Sequence, residues 1–366
     1  FMYADGYNQS ENEIDITKQV ASGFSNLLAS NQVLGQQRQN FVSVKDETSG
    51  KVIIGVEDGA NNSYCDLLFY VNASKTIEEP NDRPVITPDD GNEPEKPDVT
   101  ETKTGTLAFE DIWPGGGDYD MNDIVLTIQK RKIYTNKENK VTKFELSIDL
   151  SAAGATKSIG AAIMLDNVPA NAITQPVEFS DNTLAKNFNL NNNNIENGQD
   201  YTVIPLFDDA HKVLGRDRYE QINTVSDYAG NTKPKNISFS ITFNNPTISA
   251  DAFNVNKLNV FIIVDGNRNP RKEIHVAGYQ PTKLANTDLF GGNNDNSHHA
   301  SKKYYISKEN LAWGIMVPSN FKWPLEYVNI KTAYSQFSDW VTSGGTENEK
   351  WWNDFDVNKV FQTNKN

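Results

Sequence analysis

The sequence predicts a mainly β protein whose largest part is a jelly-roll-like β-sandwich, and two observations carry that prediction. Residues 144–150 alternate apolar and polar side chains, as a half-buried strand does. Long, irregular, turn-rich segments separate this strand candidate from several others, which is typical of all-β sandwiches. The other strand candidates are residues 158–165, 201–206, 237–243 and 258–264.

One helix is predicted near the C-terminus of the sandwich domain. Apolar side chains recur near helical spacing across residues 326–341. The glycine-containing sequence Ser343-Gly344-Gly345 that follows is a helix stop signal. The sequence therefore predicts a single C-terminal helix over residues 326–341.

A proline-rich and acidic stretch, residues 76–103, divides the chain. Such a segment buries little apolar surface and repels itself, so we expect an extended linker. Residues 1–75 before it form a predicted small α+β module, and residues 104–366 after it form the predicted sandwich domain. The elements predicted in the small module are a helix at 14–28 and strands at 41–44 and 51–56.

Composition excludes several classes of function. The formal net charge of −14 would repel phosphates, which argues against a nucleic-acid partner. The only cysteine, Cys65, excludes an intrachain disulfide framework. No apolar run is long enough for a transmembrane helix. The chain starts at Phe1 without a signal peptide, so we expect a mature or truncated first module, with any lipid anchor upstream.

The most informative segment is a glycine-led acidic loop at residues 115–123, between strands predicted at 106–109 and 124–128. The loop therefore caps a predicted hairpin. Its glycines permit tight turns, and oxygen-bearing side chains recur at every second position. Carboxylates gathered this closely repel one another unless a cation neutralises them. The predicted metal ligands are Glu110, Asp111, Asp118, Asp120, Asn122 and Asp123.

An all-oxygen loop of this kind favours Ca²⁺, which takes about six to eight oxygen ligands. The loop is not an EF-hand, because the sixth and twelfth positions from Asp118 hold Asp123 and Gln129 rather than Gly and Glu. A metal-free turn is the alternative, since Asp and Asn favour turns in any case. We expect the metal-bound loop.

A degraded copy of the same unit lies in residues 52–71. It keeps the order of strand, Glu-Asp pair, polar loop and strand, but it has fewer carboxylates. Fewer carboxylates attract a divalent cation less strongly, so we expect Ca²⁺ in the second loop only. The residues that replace the acidic pattern in the first loop are Asn61, Ser63 and Cys65.

Several motifs, taken in order, resemble the LruC-type domains of bacterial cell-surface proteins. The resemblance begins at Phe109-Glu110-Asp111 and the acidic loop, and it covers most of residues 104–355. It implies a secreted or outer-membrane-anchored protein of Bacteroidetes-like bacteria, and it implies no known enzyme activity. The first module is similar to a related β module found before such domains. The later motifs are residues 261–268, 271–275, 278–282, 311–318, 333–340 and 343–345.

Two other groups are candidates for ligand binding. Arg271, Glu273 and His275 alternate along a strand, so they share one face. They are either a catalytic or ligand-binding trio or a salt-bridged structural row. The structural row is preferred because no nucleophile or second base accompanies the trio. Trp351 and Trp352 lie beside charged residues and are candidates for surface contact with a sugar ring.

These features predict a non-enzymatic protein at the extracellular or outer-membrane surface, with a Ca²⁺-stabilised sandwich and an adhesive or structural role. Its expected partner is a surface protein or a glycan. A glycan-binding module is the first alternative. A carbohydrate-active hydrolase is the second, and it would need a pair of carboxylates at a cleft.

Overall fold

The computed structural model describes residues 97–180, 187–266, 270–318 and 321–362, together with five strands nearer the N-terminus. The chain divides into two compact units, Phe1–Pro94 and Glu95–Asn366. No helix in the described part of the chain is both long enough and apolar enough to cross a membrane.

The first unit contains two small antiparallel sheets. One pairs β1 (Tyr7–Asn8) with β2 (Glu13–Ile14). The other contains β3 (Phe41–Asp46), β4 (Lys51–Val56) and β5 (Leu67–Val71). The strands predicted at 41–44 and 51–56 are therefore present. The helix predicted at 14–28, apart from Ile14, and the first acidic loop with Cys65 lie outside the described residues.

One layer of the second unit is a six-stranded sheet whose paired strands are all antiparallel. Leu146, Ile148 and Leu150 are buried while the residues between them are half-buried, so the alternation predicted for 144–150 is present. The strands, in spatial order, are β10 (Glu178–Phe179), β12 (Lys235–Thr242), β8 (Val141–Ala152), β7 (Ile124–Thr135), β6 (Val99–Phe109) and β15 (Gly314–Val317).

Strand β6 begins earlier than the sequence suggested. The linker was expected to extend to residue 103, but Val99 already pairs with Ile133 of β7. Pairing with a neighbouring strand satisfies backbone groups that a linker would leave to water. The same two strands form the predicted hairpin, since Phe109 pairs with Ile124 across the base of the acidic loop.

A four-stranded antiparallel sheet forms the second layer. Every residue of β13 (Leu258–Val264), one of its two central strands, is buried, because both faces of that strand are covered. Inward side chains of both sheets, such as Ile148 and Val260, share one hydrophobic core. The predicted mainly β sandwich is therefore confirmed. The strands, in spatial order, are β11 (Tyr201–Phe207), β9 (Ile159–Pro169), β13 (Leu258–Val264) and β14 (Glu273–His275).

The prediction of one C-terminal helix over 326–341 is wrong. Tyr334 is extended, with φ −125° and ψ 103°, and it separates two short helices. This buried side chain packs against Phe321 and Trp351, so tertiary packing overrides the local helical periodicity. The segment covers the outer face of the six-stranded sheet through a second hydrophobic cluster. The α-helices of the described chain are α1 (Ala210–Val213), α2 (Ile330–Ala333) and α3 (Phe337–Thr342).

Candidate metal centre

Apolar and acidic residues alternate in the acidic loop, so the apolar side chains lie inside the domain and the acidic side chains lie close to one another. Tyr119 and Met121 have positive φ angles of 56° and 54°, a conformation that costs about 1–3 kcal/mol for such residues. Both side chains are buried in the second hydrophobic cluster, which holds this conformation. Their backbone N–H groups donate to Glu110, from Met121 N to Oε1 at 2.7 Å and from Tyr119 N to Oε2 at 3.3 Å.

Three carboxylates then meet, and we call Glu110, Asp118 and Asp120 the acidic cluster. One carboxylate oxygen from each lies within 4.8 Å of the others. Glu110 and Asp120 are buried, whereas Asp118 is exposed. Burial, and then repulsion from Asp120, raises the pKa of Glu110 well above its usual value. Burial, and then repulsion from Asp118, raises the pKa of Asp120 to about 7.

Asn122 adds a buried oxygen that lacks a partner. The residue is 0% exposed, and its Nδ2 donates to the Pro324 carbonyl at 3.1 Å. Its Oδ1 accepts no hydrogen bond. A buried acceptor left in this state costs about 1–3 kcal/mol. This oxygen is therefore available to an electropositive ligand.

Glu326 approaches the same place from a distant part of the chain. A Cβ added at Gly154 would clash with Asn122 Oδ1 and lie 2.9 Å from Glu326 Oε2, so these two oxygens flank the bare glycine. Thr224 Oγ1 donates to Glu326 Oε2 at 2.7 Å and holds the carboxylate there. Burial and the nearby Asp118 carboxylate raise the pKa of Glu326. Glu326 was not among the predicted ligands, because residue 326 was expected at the start of a helix.

Besides the Asn122–Pro324 contact, three hydrogen bonds join the segment around Glu326 to the loop. Tyr327 N donates to Asp120 Oδ2 at 2.8 Å. Asn329 Nδ2 donates to the Asp118 carbonyl at 2.6 Å. Ile330 N donates to the Tyr119 carbonyl at 2.8 Å. A side chain on Gly117 would clash with Glu110 Oε2, so this close arrangement also requires glycine there.

The two remaining predicted ligands lie differently. Asp111 forms an ion pair with Lys157, with 3.0 Å between Oδ1 and Nζ, rather than joining the acidic cluster. Asp123 Oδ2 accepts a hydrogen bond from Asp111 N at 2.7 Å. Burial, and then repulsion from Glu110, raises the pKa of Asp123. The structure therefore brings Glu110, Asp118 and Asp120 together, places Asn122 beside Glu326, and turns Asp111 and Asp123 toward other partners.

The trio Arg271, Glu273 and His275 belongs to a buried set of charges that also includes Glu196, and we call these four residues the ion network. Arg271 Nη2 donates to Glu196 Oε2 at 3.0 Å, and Arg271 Nε lies 2.7 Å from Glu273 Oε1. Glu273 Oε2 lies 3.0 Å from His275 Nε2. Burial raises the pKa of Glu273, but His275 and Arg271 together hold it below its usual value. All four side chains are nearly inaccessible to solvent.

His275 is enclosed on every side. Its ring stacks between Phe261 and Tyr305, with centroid distances of 4.5 and 4.9 Å. Its Nδ1 lies 2.6 Å from Asn259 Oδ1, whose amide donates to Asp166. Burial lowers the pKa of His275, and the hydrogen bond with Glu273 opposes that shift. The ring has no route to an external ligand, which supports the structural interpretation of the row.

The prediction of surface contact fails for Trp351. Its side chain is 2% exposed and packs on Tyr334 and Phe337 within the second hydrophobic cluster. Trp352 is half-buried and packs against the same cluster. The charged residues near this pair in sequence suggested a surface position, but Trp351 lies in the core.

The fold is similar to that of a crystal structure described as a "putative lipoprotein" from Bacteroides ovatus. The TM-score is 0.57 at 20% sequence identity, over 88% of this chain and 92% of that chain. At this identity, the likeness shows a shared fold. A comparison with curated proteins finds no match.

A family model described as a domain of unknown function, DUF4842, matches residues 139–352, which is more than half of the chain. The matched range includes the ion network and Glu326, and the acidic loop precedes it. The resemblance to LruC-type domains is a separate observation and stays a prediction. The chain belongs to the DUF4842 family.

Proposed function

We propose that this chain is a non-enzymatic cell-surface protein whose sandwich domain binds one Ca²⁺ ion at the acidic cluster. In this proposal the ion ties the acidic loop to the segment around Glu326, and the stiffened domain serves an adhesive or structural role. The observation that carries the proposal is the unpartnered, buried oxygen of Asn122. It belongs to the loop that holds Asp118 and Asp120, and the charged groups that act most strongly on Glu110 and Asp120 are other carboxylates.

The chemistry of the donor set favours a hard cation. The oxygens of Glu110, Asp118 and Asp120 converge. Asn122 Oδ1 and the Glu326 carboxylate flank Gly154, and the Glu326 charge acts on Asp120. No histidine or cysteine belongs to this group within the described residues. All-oxygen sites suit Ca²⁺, whereas zinc sites usually contain nitrogen or sulfur ligands.

A hydrolase is the less favoured alternative. A glycosidase needs an acid and a base that both reach the substrate. Glu110 is fully buried, and both of its oxygens already accept backbone N–H groups. The same contacts suit a structural metal ligand, because they orient the carboxylate before the ion arrives.

Two further observations support a surface location. The structurally similar Bacteroides ovatus protein has a lipoprotein description. The acidic net charge of −14 disfavours nucleic acid and anionic lipid as partners. We therefore expect another surface protein or a neutral glycan as the partner.

Thermal unfolding in Ca²⁺ and in EGTA tests the metal site. An ion that binds only the folded state stabilises it by about 2.7 kcal/mol at one hundred times its Kd. For a domain of this size, that corresponds to a rise in Tm of roughly 5–10 °C. Asp120→Asn removes one charged ligand and should abolish most of this gain.

Asp288→Asn is the matched control, because Asp288 is an exposed acid remote in sequence from the acidic loop. It should leave the Ca²⁺ response unchanged. Ser63→Ala, in the first loop, should do the same if only the second loop binds the ion. Equal Tm values for the wild type in Ca²⁺ and EGTA, with no heat of Ca²⁺ binding by calorimetry, would refute the proposal.

A further inference from the structure

The proposed cation would have one side open to solvent. Glu110 and Asp120 are buried and approach from within the domain, while Asp118 is exposed. The unpartnered Asn122 Oδ1 is also on the buried side. A Ca²⁺ ion coordinated by these oxygens on its buried side completes its coordination with water or with oxygens of a bound ligand. The inference that follows rests on the proposed cation site.

Tyr327 is an exposed residue next to the acidic cluster. Its backbone N–H donates to Asp120 Oδ2 at 2.8 Å, so its position is fixed by a member of the acidic cluster. It adopts φ 61° and leaves 74% of its surface exposed. The left-handed conformation is unfavourable for a bulky residue, and the exposed Tyr327 side chain gains no burial in return. Packing therefore does not explain why this residue is a tyrosine.

Gln221 links this ring to the adjacent carboxylate. Its Nε2 donates to Tyr327 Oη at 3.0 Å, and its side chain also hydrogen-bonds Glu326. An amide, a phenol and a carboxylate are thus held together next to the residue whose backbone contacts Asp120. All three can exchange hydrogen bonds with a ligand's hydroxyl groups.

Two more exposed tyrosines lie in the chain segment that contains Gln221. Tyr219 is 74% exposed, and Tyr228 Oη donates to Glu220 at 3.2 Å. Tyr219 and Tyr228 are thus close to Gln221 in sequence, and Tyr327 contacts Gln221 directly. These are three of the four exposed tyrosines in the described part of the chain.

We propose that Tyr327 and the acidic cluster form a Ca²⁺-dependent site for a neutral pyranose sugar. Two vicinal hydroxyl groups of the sugar would complete the coordination of the ion beside Asp118. The apolar face of the ring would pack on Tyr327. Aromatic rings offer such a face together with a polar tip, which suits an amphipathic ligand.

Charge selects this ligand class over others. The surplus of carboxylates repels an anionic ligand, while hydroxyl groups can donate to the same carboxylates. The glycan alternative predicted from Trp351 and Trp352 thereby moves to a different surface, since Trp351 is buried. Tyr327 could not be found from sequence, because its partner Asp120 is about two hundred residues away.

The test uses the chain in Ca²⁺ and in EGTA, with methyl glycosides of mannose, fucose, galactose and N-acetylglucosamine as probes. Calorimetry with Ca²⁺ alone comes first and establishes whether the ion binds. Saturation-transfer NMR then detects sugar contact. We expect transfer to at least one glycoside in Ca²⁺ and none in EGTA.

Tyr327→Asn is the informative variant, because asparagine tolerates the left-handed conformation while removing the aromatic ring. It should weaken sugar binding at least tenfold and change the Ca²⁺ Kd less than twofold. Tyr201→Ala is the control, since Tyr201 is an exposed tyrosine at the start of β11. It should leave both measurements unchanged.

The outcomes separate the two proposals. If Ca²⁺ does not bind, the metal centre and this sugar site both fail. If Ca²⁺ binds but no glycoside receives saturation, only the sugar site fails. Undiminished sugar binding by Tyr327→Asn would also overturn the site as described, because the ring would then have no part in recognition.

Discussion

The acidic cluster and the ion network are both groups of charged side chains within the sandwich domain, and they differ in how charge is balanced. In the ion network, Arg271 lies between two carboxylates and His275 contacts one of them. In the acidic cluster, the charged groups that act most strongly on Glu110 and Asp120 are themselves carboxylates. One group therefore contains its own counter-charges and the other does not.

This difference in charge balance gives the ion network and the acidic cluster different interpretations. A buried charge is tolerated when it is paired, so the ion network needs no further counter-charge, although Arg271 Nε has an ion-pair contact and no hydrogen bond. The acidic cluster places carboxylates in a low-dielectric setting, where their repulsion is largely unscreened. In our proposal, a cation supplies the missing charge.

The largest expected effect is on the ion network. Arg271→Met should lower the free energy of unfolding by about 3–5 kcal/mol, because Glu196 and Glu273 would be left buried without their cation. Urea unfolding followed by circular dichroism measures the change. Lys283→Met is the control, since Lys283 pairs with Asp200 at the surface and such pairs contribute about 0–1 kcal/mol. Similar losses in both variants would contradict the buried-pair interpretation.

A smaller loss is expected from Glu273→Gln, about 1–3 kcal/mol. The variant keeps the shape of the side chain but removes the charge that faces Arg271 and His275. The folded-state pKa of Glu273 is lowered, so its stabilising contribution is present above an unfolded pKa of about 4.3 and is lost as the pH falls below it. The difference in the free energy of unfolding between wild type and Glu273→Gln, measured by urea unfolding, should therefore narrow under acidic conditions.

The same variant also tests whether the row of Arg271, Glu273 and His275 has a function. Ca²⁺ and sugar binding should be unchanged in the folded fraction. A loss of binding without a loss of stability would place the row in a functional site.

The smallest effect has the opposite sign. In EGTA, Asp120→Asn should raise the free energy of unfolding by about 1 kcal/mol, because it removes one of the mutually repelling carboxylates. The Tyr327 N–H donates to the Asp120 carboxylate, and the side-chain oxygen of asparagine can accept the same hydrogen bond. Thermal unfolding of wild type and variant in EGTA gives the comparison. A destabilised variant in EGTA would show that the acidic cluster balances its charge without a cation.

Much of the fold could be predicted from local patterns. The alternation at 144–150 and the apolar run at 258–264 both correspond to strands, because the spacing of buried side chains is a property of the strand itself. The short strand β15 was not predicted, and the helix at 326–341 was over-predicted. In both places the deciding contacts come from residues far away in sequence.

The candidate site divides in the same way. Sequence spacing indicated Glu110, Asp118 and Asp120, because they lie within one hairpin whose turn brings them together. It also indicated Asp111, which the structure pairs with Lys157. No local pattern could identify Glu326, since only the path of the C-terminal segment brings it to Asn122.

The sequence by itself determined the β class of the sandwich domain, the hairpin with its acidic loop, and the shared face of Glu273 and His275. These features depend on residues close together in the chain, where strand periodicity and turn chemistry act directly. Tertiary structure decided which charges are balanced, which tryptophan is buried and which tyrosine stands beside the acidic cluster. Those outcomes depend on desolvation and on partners distant in sequence, and both are settled only when the two sheets and the C-terminal segment pack together.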